Sequence, residues 1–596
     1  MAYRCNVLLC TCTMCVSVGA LKIKKSLEKE IKKYDLQDEV QVIITGSSWL
    51  CTKGPTLIVQ PDDVVYQFVS EKDIPNLVEE HLLKGRPVPS LMYQNPESLN
   101  PIKKLEDIPF YHSQRLIALW NRGIIDPEEI DEYIARDGYN AIAKILQEMT
   151  PEEVIQEIKD SGLRGRGGGG FPTWKKWNFC RNSEGSPKYL ICNADEGDPG
   201  AFMDRSIIEA DPHSLLEGML IAAYAIGAEF GYIYVRGEYP LAIKRLNGAI
   251  EKAREYGLLG KAIFGSDFNF DLEIFKGSGA FVCGEETSLI HSIEGEPAEP
   301  RQRPPFPVVQ GLFGKPTNIN NVETLSNLPR IINFGAKWYA KIGTEKSKGT
   351  KVFSLAGKIN NAGLVEVPMG ITLKEMVYDI GGGIPNGKKF KAVQTGGPSG
   401  GVIPEKMLNL QIDYERLQEA GAIMGSGGMI VMDEDDCMVD VARYFIEFTR
   451  DESCGRCNSC REGLDAMYEI LTNICKGEGK EGDIEFLEDL GKSIKIASLC
   501  GLGKTAPNPV LTSIRHYRHE YEAHINDKKC PARSCEALIE YSVITDKCTG
   551  CYVCNMKCPA DAISGDKKKP QTIDPEKCIK CSICFEVCKF NAIKVE

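Results

Sequence analysis

The sequence predicts a multidomain α/β protein that ends in a small cysteine-rich domain. Three observations support this prediction. The chain has 596 residues, which is enough for several hydrophobic cores. Short apolar strands alternate with amphipathic helices over residues 113–335, a pattern typical of a mostly parallel sheet. Eight cysteines fall within the last fifty residues, in two runs of matching spacing.

Composition narrows the class of protein. The chain is 43% hydrophobic with a net charge of −12, so a basic excess that would indicate nucleic-acid binding is lacking. Its 24 cysteines include several C-x2-C pairs, which in a long chain indicate metal ligands in a reducing compartment, and we expect a cytoplasmic location. We expect no membrane span, because no uninterrupted apolar run reaches about 18 residues. Residues 1–18 lack the basic region and cleavage site of a signal peptide and predict a first strand and turn.

Hydrophobic periodicity and the positions of glycine and proline divide the chain into seven segments. They are a small α/β unit at 1–85, an extended proline-rich linker at 86–112, an α/β domain at 113–335, an α+β module at 336–430, a helical domain at 431–528, a short cysteine-bearing linker at 529–541 and the cysteine-rich tail at 542–596. The first unit should have strands at 7–9, 40–45 and 56–59 and helices at 20–34 and 74–83. The larger α/β domain should have strands at 189–192, 232–235 and 271–274 and helices at 215–226 and 241–256.

The two cysteine runs of the tail share the spacing C-x2-C-x2-C-x3-C. This is the spacing of a two-cluster bacterial ferredoxin, in which the last cysteine of each run binds the cluster of the other run. We therefore predict one 4Fe–4S cluster on Cys548, Cys551, Cys554 and Cys588, and a second on Cys578, Cys581, Cys584 and Cys558. Zinc also binds C-x2-C pairs, but the doubled three-plus-one pattern favours iron–sulfur clusters.

A third cysteine group lies in the helical segment. Cys454, Cys457 and Cys460 stand just before and within a predicted helix, and Cys500 follows some forty residues later. Three closely spaced cysteines and one distant cysteine again suit a 4Fe–4S cluster, with a structural zinc site as the alternative.

The segment between the helical domain and the tail contains His519, His524, Cys530 and Cys535. Two cysteines separated by four residues and close to a histidine fit tetrahedral zinc better than an iron–sulfur cluster. Such a site would pin the tail to the helical domain. The pattern leaves the complete ligand set unassigned, and free thiols in a linker are the alternative.

A glycine loop at 164–172 reads Arg-Gly-Arg-Gly-Gly-Gly-Gly-Phe-Pro and precedes a predicted helix. Backbone N–H groups of such a loop can approach a phosphate, although the loop alone is a weak signal. Three further segments, at 193–200, 277–287 and 316–324, carry glycines, amides or carboxylates at predicted strand ends. Strand ends of a parallel sheet meet at one edge, so together the four segments predict a nucleotide-cofactor site.

These four segments resemble the NADH- and FMN-binding flavoprotein subunit of respiratory complex I and its soluble hydrogenase relatives, whose patterns are RGRGG-x-GFPTG-x-KW, NADE-x-x-PG, CGEET and PT-x-x-NNVET. The chain departs at Trp174, where the family usually has glycine. The resemblance implies an FMN site lined by Gly165, Arg166, Gly167, Lys176, Asn193, Asp195, Glu196, Gly284, Glu285, Thr317, Asn320 and Asn321.

The same resemblance implies the position of the pyridine nucleotide. Phe171, Glu286 and Phe306 would lie near its nicotinamide or adenine, with Glu286 steering the nicotinamide in the catalytic step. Asp198 stands where complex I relatives usually carry Glu. A carboxylate near the adenine ribose would accept a hydrogen bond from the 2′-hydroxyl and repel a 2′-phosphate, so we expect NAD(H) rather than NADP(H).

The first unit resembles the thioredoxin-like domain of the same enzyme systems, which holds a 2Fe–2S cluster on C-x4-C and C-x3-C pairs. Cys10 and Cys15 match the first pair, but the second pair reads Ser47 and Cys51. Three outcomes are open: substitution by Cys12 or Cys5, weak ligation by Ser47, or loss of the cluster. By the same resemblance, we expect residues 336–430 to form the ubiquitin-like, soluble-ligand-binding-like module of these systems.

The order of the regions resembles the beta subunit of soluble, electron-bifurcating FeFe hydrogenases. This implies a diaphorase that moves electrons between NAD(H), FMN and three 4Fe–4S clusters. The implied partners are a hydrogenase catalytic subunit, a small thioredoxin-like 2Fe–2S subunit and ferredoxin. Two alternatives are open: the same diaphorase in a formate dehydrogenase or a ferredoxin–NAD(P) transhydrogenase, and a non-catalytic electron-wire or scaffold subunit.

Overall fold

The computed structural model describes residues 3–47, 50–96 and 98–596, and for Cys51 the backbone alone. The chain forms two compact units. One contains Met1–Val431 and Leu499–Leu502, and the other contains Met432–Ser498 and Gly503–Glu596. Among the described residues, every helix is too short or too polar to cross a membrane.

The unit that contains Met1–Val431 begins with a four-stranded mixed sheet in the order β2-β1-β3-β4. Strand β1 pairs in parallel with β2 and antiparallel with β3. The elements are β1 (Cys5–Cys10), α1 (Thr13–Ser17), α2 (Ala20–Lys33), β2 (Val40–Thr45), β3 (Leu57–Gln60), β4 (Val64–Tyr66) and α3 (Ile74–Leu77), which continues as a π-helical turn (Val78–Leu83). Helix α2 buries Ile23, Leu27 and Ile31, four residues apart, and this one-sided pattern is why the sequence predicts it within one residue.

Residues 86–112 are more closely packed than the predicted linker. Met92 and Lys104 form isolated bridges with Tyr66 and Val64 of β4. A short helix, α4 (Pro109–His112), buries Phe110 completely. The prolines prevent long regular elements here, but burial of an aromatic side chain holds the segment against the sheet.

A second sheet in this unit consists of four parallel strands in the order β7-β6-β5-β8. Its elements are α5 (Ile130–Ile134), α6 (Asn140–Glu148), α7 (Pro151–Ser161), α8 (Thr173–Asn182), β5 (Tyr189–Ala194), α9 (Met203–Ala210), α10 (Pro212–Ile226), β6 (Phe230–Arg236), α11 (Pro240–Glu255), β7 (Asp271–Gly277), α12 (Glu286–Glu294), β8 (Thr317–Asn321), α13 (Val322–Ser326), α14 (Leu328–Phe334) and α15 (Ala336–Ala340). The predicted strands and helices of this domain are all present, with bounds that differ from the prediction by at most three residues. Strand β8 has an amide-rich sequence, Thr-Asn-Ile-Asn-Asn, and is a strand through its pairing with β5 rather than through hydrophobicity.

A five-stranded sheet, in the order β10-β9-β13-β11-β12, follows. Its elements are β9 (Thr350–Gly357), β10 (Gly363–Pro368), β11 (Phe390–Thr395), β12 (Gly401–Pro404), α16 (Tyr414–Glu419) and β13 (Gly428–Asp433). Two buried charged residues join it to the parallel-sheet domain. Lys351 forms an ion pair with Glu323 of α13, and the Glu366 carboxylate accepts backbone N–H bonds from residues 117, 118 and 119 at 2.9–3.0 Å.

Residues 432–528 are helical, with α17 (Met438–Asp451), α18 (Asn458–Cys475), α19 (Asp483–Ala497), α20 (Gly501–Thr505) and α21 (Asn508–Glu522). The tail has two small antiparallel pairs, β14 with β17 and β15 with β16. Its elements are β14 (Tyr541–Val543), α22 (Val553–Lys557), β15 (Ile563–Ser564), β16 (Thr572–Ile573), α23 (Ile583–Glu586) and β17 (Ile593–Val595). Cys554 and Cys584 lie in the core of the tail with Ile563, Ile573 and Ile593, so the cysteine runs and the core share one interior.

Candidate cofactor site and metal centres

The glycine loop is a compact turn between α7 and α8. The Gly165 N–H donates to Phe171 O at 2.8 Å, and Arg164 Nε donates to Gly170 O at 2.6 Å. A Cβ added at Gly167 would lie 2.9 Å from Cβ of Asn321, so the loop is in close contact with the end of β8. Gly168 has a φ of 122°, which favours glycine. The four glycines therefore let the backbone approach the carboxyl edge of the parallel sheet.

Arg166 fixes this loop. Its guanidinium donates to Lys348 O at 2.7 Å, Thr350 O at 3.0 Å and Tyr339 Oη at 2.9 Å, and its backbone N–H donates to Thr324 Oγ1 at 2.8 Å. The side chain is buried and its donors are taken up by protein acceptors. Arg166 thus lies at the predicted site, and its structural role there is to anchor the loop.

Lys176, on α8, brings a positive charge to the carboxyl edge. Its ammonium bonds to the Glu286 carboxylate and donates to Ile319 O at 2.7 Å. Glu286 is the first residue of α12, and its other oxygen lies 3.6 Å from Arg303. Glu285 caps the same helix by accepting from the Thr287 N–H at 2.8 Å. The two predicted glutamates therefore differ in role, since Glu285 shapes the turn and Glu286 belongs to a cluster of charged side chains.

The amides of β8 are held by hydrogen bonds to other side chains. Asn320 Oδ1 accepts from Trp177 Nε1 at 2.9 Å and from Asn318 Nδ2 at 2.6 Å. Asn321 Nδ2 donates to Asp204 Oδ2 at 2.5 Å. These bonds fix the orientation of each amide, so the end of β8 presents ordered polar groups.

The end of β5 supplies carboxyl groups. Asn193 Nδ2 donates to Gly284 O at 3.0 Å and thereby joins the β5 and β7 loops. Glu196 accepts the backbone N–H groups of Asp204 at 3.0 Å and Arg205 at 3.1 Å. Burial raises the pKa of both the Glu196 and the Asp204 carboxyl groups, and their proximity raises that of Asp204 further. Donors of the protein itself therefore hold these carboxyl groups in place beside the end of β5.

Most of the predicted cofactor residues meet at this edge, on the loops after β5, β7 and β8 and on the glycine loop. Thr317 does not. It begins β8, four residues before Asn321 and thus about 13 Å from the edge. Its hydroxyl accepts from the Leu312 N–H at 2.8 Å and donates to Lys315 O at 3.0 Å, so it shapes the turn that enters the strand.

The two phenylalanines predicted to face the nucleotide lie at the surface of this region. Phe171 and Phe306 are 50% and 52% exposed, which leaves aromatic faces available for stacking. Asp198 accepts a hydrogen bond from Ser426 Oγ at 2.7 Å, and burial raises the pKa of its carboxyl to about 6. Trp174, the departure from the family pattern, is half-buried on α8 with Lys159 5.0 Å from its ring centroid.

The donor set at the edge fits an FMN-sized polar cofactor. The hydroxyl of Thr173, at the start of α8, is buried without a hydrogen-bond partner among the described residues. A Cβ added at Gly169 would meet nothing within 4 Å, so the glycine loop borders open space. Lys176 supplies a cation beside this loop, and the amides and carboxyls can bond ring edges and hydroxyls.

In the tail, the structure brings together four of the predicted cluster cysteines. Cys558, Cys578, Cys581 and Cys584 line one cavity, with Tyr541 beside them. Cys558 comes from the first run and the other three from the second, as the crossed pattern predicts. The last cysteines of the two runs have equivalent surroundings, since the Ala562 N–H donates to Cys558 Sγ and the Ala592 N–H to Cys588 Sγ, both at 3.3 Å. Cys548, Cys551 and Cys554 lie before and within α22.

The third cysteine group begins α18. Cys457 is the N-cap of this helix, Cys460 is buried in its first turn and Cys454 lies in the preceding loop. Cys500 lies in the segment Leu499–Leu502. The binding of a cluster by these four cysteines stays a prediction.

A four-ligand site lies within the second unit. Cys437, His524, Cys530 and Cys535 are all buried, with their ligand atoms within 4.8 Å of one another. His524 Nε2 is 3.3 Å from both Cys437 Sγ and Cys535 Sγ, and these sulfurs are 3.7 Å apart. A Zn–S bond of about 2.3 Å places two sulfurs of a tetrahedral site about 3.8 Å apart, so the spacing fits zinc.

The structure supplies the ligand that the sequence left unassigned. Cys437 lies immediately before α17, 87 residues from His524, in a stretch without C-x2-C spacing. His519 is exposed and lies outside the group. His524 Nδ1 donates to the Glu520 carbonyl at 2.7 Å, which leaves Nε2 as the ligand atom. The one sequence signal for Cys437 is that it is a cysteine assigned to no other motif.

In the N-terminal sheet domain, Cys10 and Cys15 lie close together, as expected, and Cys12 joins them. Ser47 is buried and accepts a hydrogen bond from Arg122. Cys5 lies in β1, outside the group. The side chain of Cys51, the remaining predicted ligand, is outside the described residues.

Comparisons with known proteins agree with this geometry. Residues 158–330 match the family described as Nuo51 FMN-binding domain. Residues 440–524 match the NADH-ubiquinone oxidoreductase-F iron-sulfur binding region, and residues 541–564 and 572–594 match the 4Fe-4S binding domain. The first match spans the glycine loop and β8, and the last two cover the cysteine groups.

Curated relatives and a solved structure cover most of the chain. The NADP-reducing hydrogenase subunit HndC of Solidesulfovibrio fructosivorans is 58% identical over 480 residues, which are 80% of this chain and 98% of the relative. An F-type subunit of the NADH-quinone oxidoreductase of Rhizobium meliloti is 48% identical over 415 residues, 70% of this chain and 99% of the relative. A crystal structure of an NAD+-reducing NiFe hydrogenase in the air-oxidized state matches with a TM-score of 0.61 and 30% identity, covering 88% of this chain and 86% of that one. The chain therefore belongs to the family of FMN-binding iron–sulfur oxidoreductases that comprises the F-type subunits of NADH-quinone oxidoreductases and of related hydrogenases.

Proposed function

We propose that this chain is the diaphorase subunit of a hydrogenase complex, in which it oxidises NADH or reduces NAD+ and exchanges the electrons with its iron–sulfur clusters. The observation that supports this most is the convergence of Lys176, the β8 amides and the β5 carboxyls beside the glycine loop. Bound FMN would take a hydride from the nicotinamide and release its electrons singly.

The protein residues supply binding and orientation. Lys176 holds the Glu286 carboxylate near the start of α12, where that carboxylate would orient the carboxamide of a nicotinamide. Phe171 and Phe306 offer exposed rings for stacking the bases. Arg166 keeps the glycine loop in place, and its guanidinium bonds to protein carbonyls rather than to a ligand.

The proposed cluster content is three 4Fe–4S clusters and one structural zinc ion. The clusters use the cysteine sets at 454–500 and in the tail, and the zinc uses Cys437, His524, Cys530 and Cys535. Cys558 lines the same cavity as three cysteines of the other run, which supports the crossed assignment in the tail.

Lys176 offers a sharp test of the cofactor site. After anaerobic purification, the FMN content of Lys176→Met should be about 10-fold lower than that of wild type. The variant should also fail to oxidise NADH with an artificial acceptor, because the carboxyl edge of the sheet loses its cation. The matched control is Lys175→Met, since Lys175 is the exposed neighbour on the same helix. Equal flavin content and activity in both variants would contradict the proposed site.

The choice of nucleotide is the finer proposal, and it rests on Asp198. We propose that NAD(H) is preferred because an ionised carboxylate at this position repels a 2′-phosphate. Since the pKa of Asp198 is raised to about 6, its charge is present above that pH and disappears below it. The ratio of NADH to NADPH oxidation rates should fall as the pH is lowered from 8 to 6, and Asp198→Asn should remove this dependence. The relative HndC belongs to a hydrogenase named as NADP-reducing, so a chain that prefers NADPH at pH 8 is the outcome that would overturn this choice.

The proposed partners are a hydrogenase catalytic subunit, a small thioredoxin-like 2Fe–2S subunit and ferredoxin, and the proposed complex bifurcates electrons. Purification of the native complex through a tag on this chain identifies the polypeptides by mass spectrometry. Bifurcation predicts that hydrogen forms from NADH and reduced ferredoxin together and from neither donor alone. Hydrogen formation at the full rate from NADH alone would contradict it.

A further inference from the structure

Three buried thiols converge at the amino end of α1. Cys10 ends β1, Cys12 is the N-cap of α1 and Cys15 lies within that helix. The sulfurs of Cys10 and Cys12 are 3.6 Å apart, and all three lie within 4.8 Å of one another. Their exposed fractions are 1%, 3% and 1%. Sulfur atoms this close suit ligands of one metal centre.

Ser47, which the family pattern would make a ligand, is engaged in other bonds. Its hydroxyl accepts from Arg122 Nη2 at 2.6 Å and its carbonyl accepts from Arg122 Nε at 3.2 Å. A metal bound to this hydroxyl oxygen would lie next to the positive guanidinium, and this electrostatic repulsion opposes coordination by Ser47. The adjacent Gly46 carbonyl accepts from Cys10 Sγ at 3.2 Å, so this loop lies next to the three thiols.

The surroundings of the three thiols are sealed and partly cationic. Arg245 is buried and donates to Thr11 Oγ1 at 2.8 Å, between Cys10 and Cys12 in the chain. Glu209 accepts the Thr13 N–H at 2.9 Å. A Cβ added at Gly46 would collide with Ala210 at 2.1 Å, which shows how closely α9 covers the loop. Nearby guanidinium groups balance thiolate charge, and the cover blocks thiol exchange with another protein.

We propose that Cys10, Cys12 and Cys15 form a thiolate site for a thiophilic metal centre, with Cys12 supplying the ligand that Ser47 does not. The metal centre is an iron–sulfur cluster or a single soft ion such as zinc or copper(I), which share the same thiolate chemistry. Each thiol loses its proton when the metal binds. The site is independent of the flavin chemistry proposed above.

Metal and acid-labile sulfide per chain, measured on the anaerobically purified full-length protein, test this. Cys12→Ala should lower the content by about two irons and two sulfides per chain if the site holds a 2Fe–2S cluster, or by one zinc or copper if it holds a single ion. The matched control is Cys5→Ala, which removes another buried thiol, in the preceding strand β1, and should leave the content unchanged. Ser47→Ala should also retain the metal.

FMN content, unchanged from wild type, shows that each variant is folded. As a second measurement, electron paramagnetic resonance of the reduced chain should show a slowly relaxing 2Fe–2S signal that Cys12→Ser shifts and Cys12→Ala abolishes. If the site holds a single ion, the wild type lacks this signal and the metal count alone changes. Equal metal content in wild type, Cys12→Ala and Cys10→Ala would overturn the proposal, as would a metal-free Cys12–Cys15 disulfide found by mass spectrometry.

Discussion

Two of the thiol sites outside the tail, the N-terminal one and the four-ligand group of the second unit, are built in opposite ways. The N-terminal site takes its three cysteines from the six residues 10–15, around one strand end and one helix start. The quartet of the second unit consists of Cys437, His524, Cys530 and Cys535, and its first and last ligands are 98 residues apart in the chain. The first can form once a single turn has formed, whereas the second exists only when α17 and α21 have packed together. Metal at the second site should therefore contribute more to folding stability than metal at the first.

The largest expected effect comes from breaking the quartet. Cys437→Ala should reduce zinc from about one ion per chain to below about 0.1, because the closed tetrahedral site loses one of its three thiolate ligands. Loss of a structural zinc ion should cost several kcal/mol and lower the melting temperature of this unit by roughly 10 °C. Inductively coupled plasma mass spectrometry and calorimetry measure both.

Cys475→Ala is the control for this change. Cys475 ends α18 and lies outside the four-ligand group, so its removal should leave the zinc content unchanged. If Cys437→Ala kept its zinc while Cys475→Ala lost it, the ligand set would be wrong.

The spacing of the ligands along the chain decides how much of each site can be predicted from the sequence. Spacing within one run revealed the tail cysteines and the pair Cys10 and Cys15, because neighbouring ligands leave a local pattern. Cys437 leaves none, since its distance to His524 is closed by helix packing alone. His524, with Cys530 and Cys535, was predicted as a ligand, and the structure places it in the group. His519 has the same local pattern but lies on the exposed side of α21, outside the group.

The flavin site shows the same limit within a fold that was predicted well. The parallel sheet follows from alternating apolar segments, and parallel strands place their loops at one edge. Which side chains face that edge depends on position along each strand. Thr317 and Asn321 are both polar residues of β8, yet they lie at its opposite ends. The buried bonds of Arg166 to residues 339–350 could not be read from spacing either, because its partners are mainly backbone carbonyls.

A smaller effect should follow when the support of one quartet ligand is removed. Glu520 Oε2 accepts the backbone N–H of Met438 at 3.0 Å, next to Cys437, and its carbonyl orients His524. Glu520→Ala removes the first of these bonds and should weaken zinc binding about 10-fold. Competition with a chelator measures the affinity. Glu522→Ala, an exposed residue two positions along the chain, should have no effect, and equal affinities in the two variants would show that the Met438 bond does not position Cys437.

The smallest expected effect tests how the N-terminal site is covered. Both oxygens of Glu209 bond to Thr13, at the N–H and at the hydroxyl, and so cap α1 from the neighbouring α9. Glu209→Gln keeps an acceptor but removes the charge, so it should destabilise this contact by about 1 kcal/mol, the difference between a charged and a neutral hydrogen bond. Hydrogen exchange of residues 11–17 should speed up about fivefold, while zinc in the quartet stays constant. The two thiol sites would then respond separately. The N-terminal site depends on the contact between Glu209 and Thr13, whereas the quartet lies within its own unit and does not depend on it. Faster exchange in α17 as well would show that the two sites are coupled and that this separation is wrong.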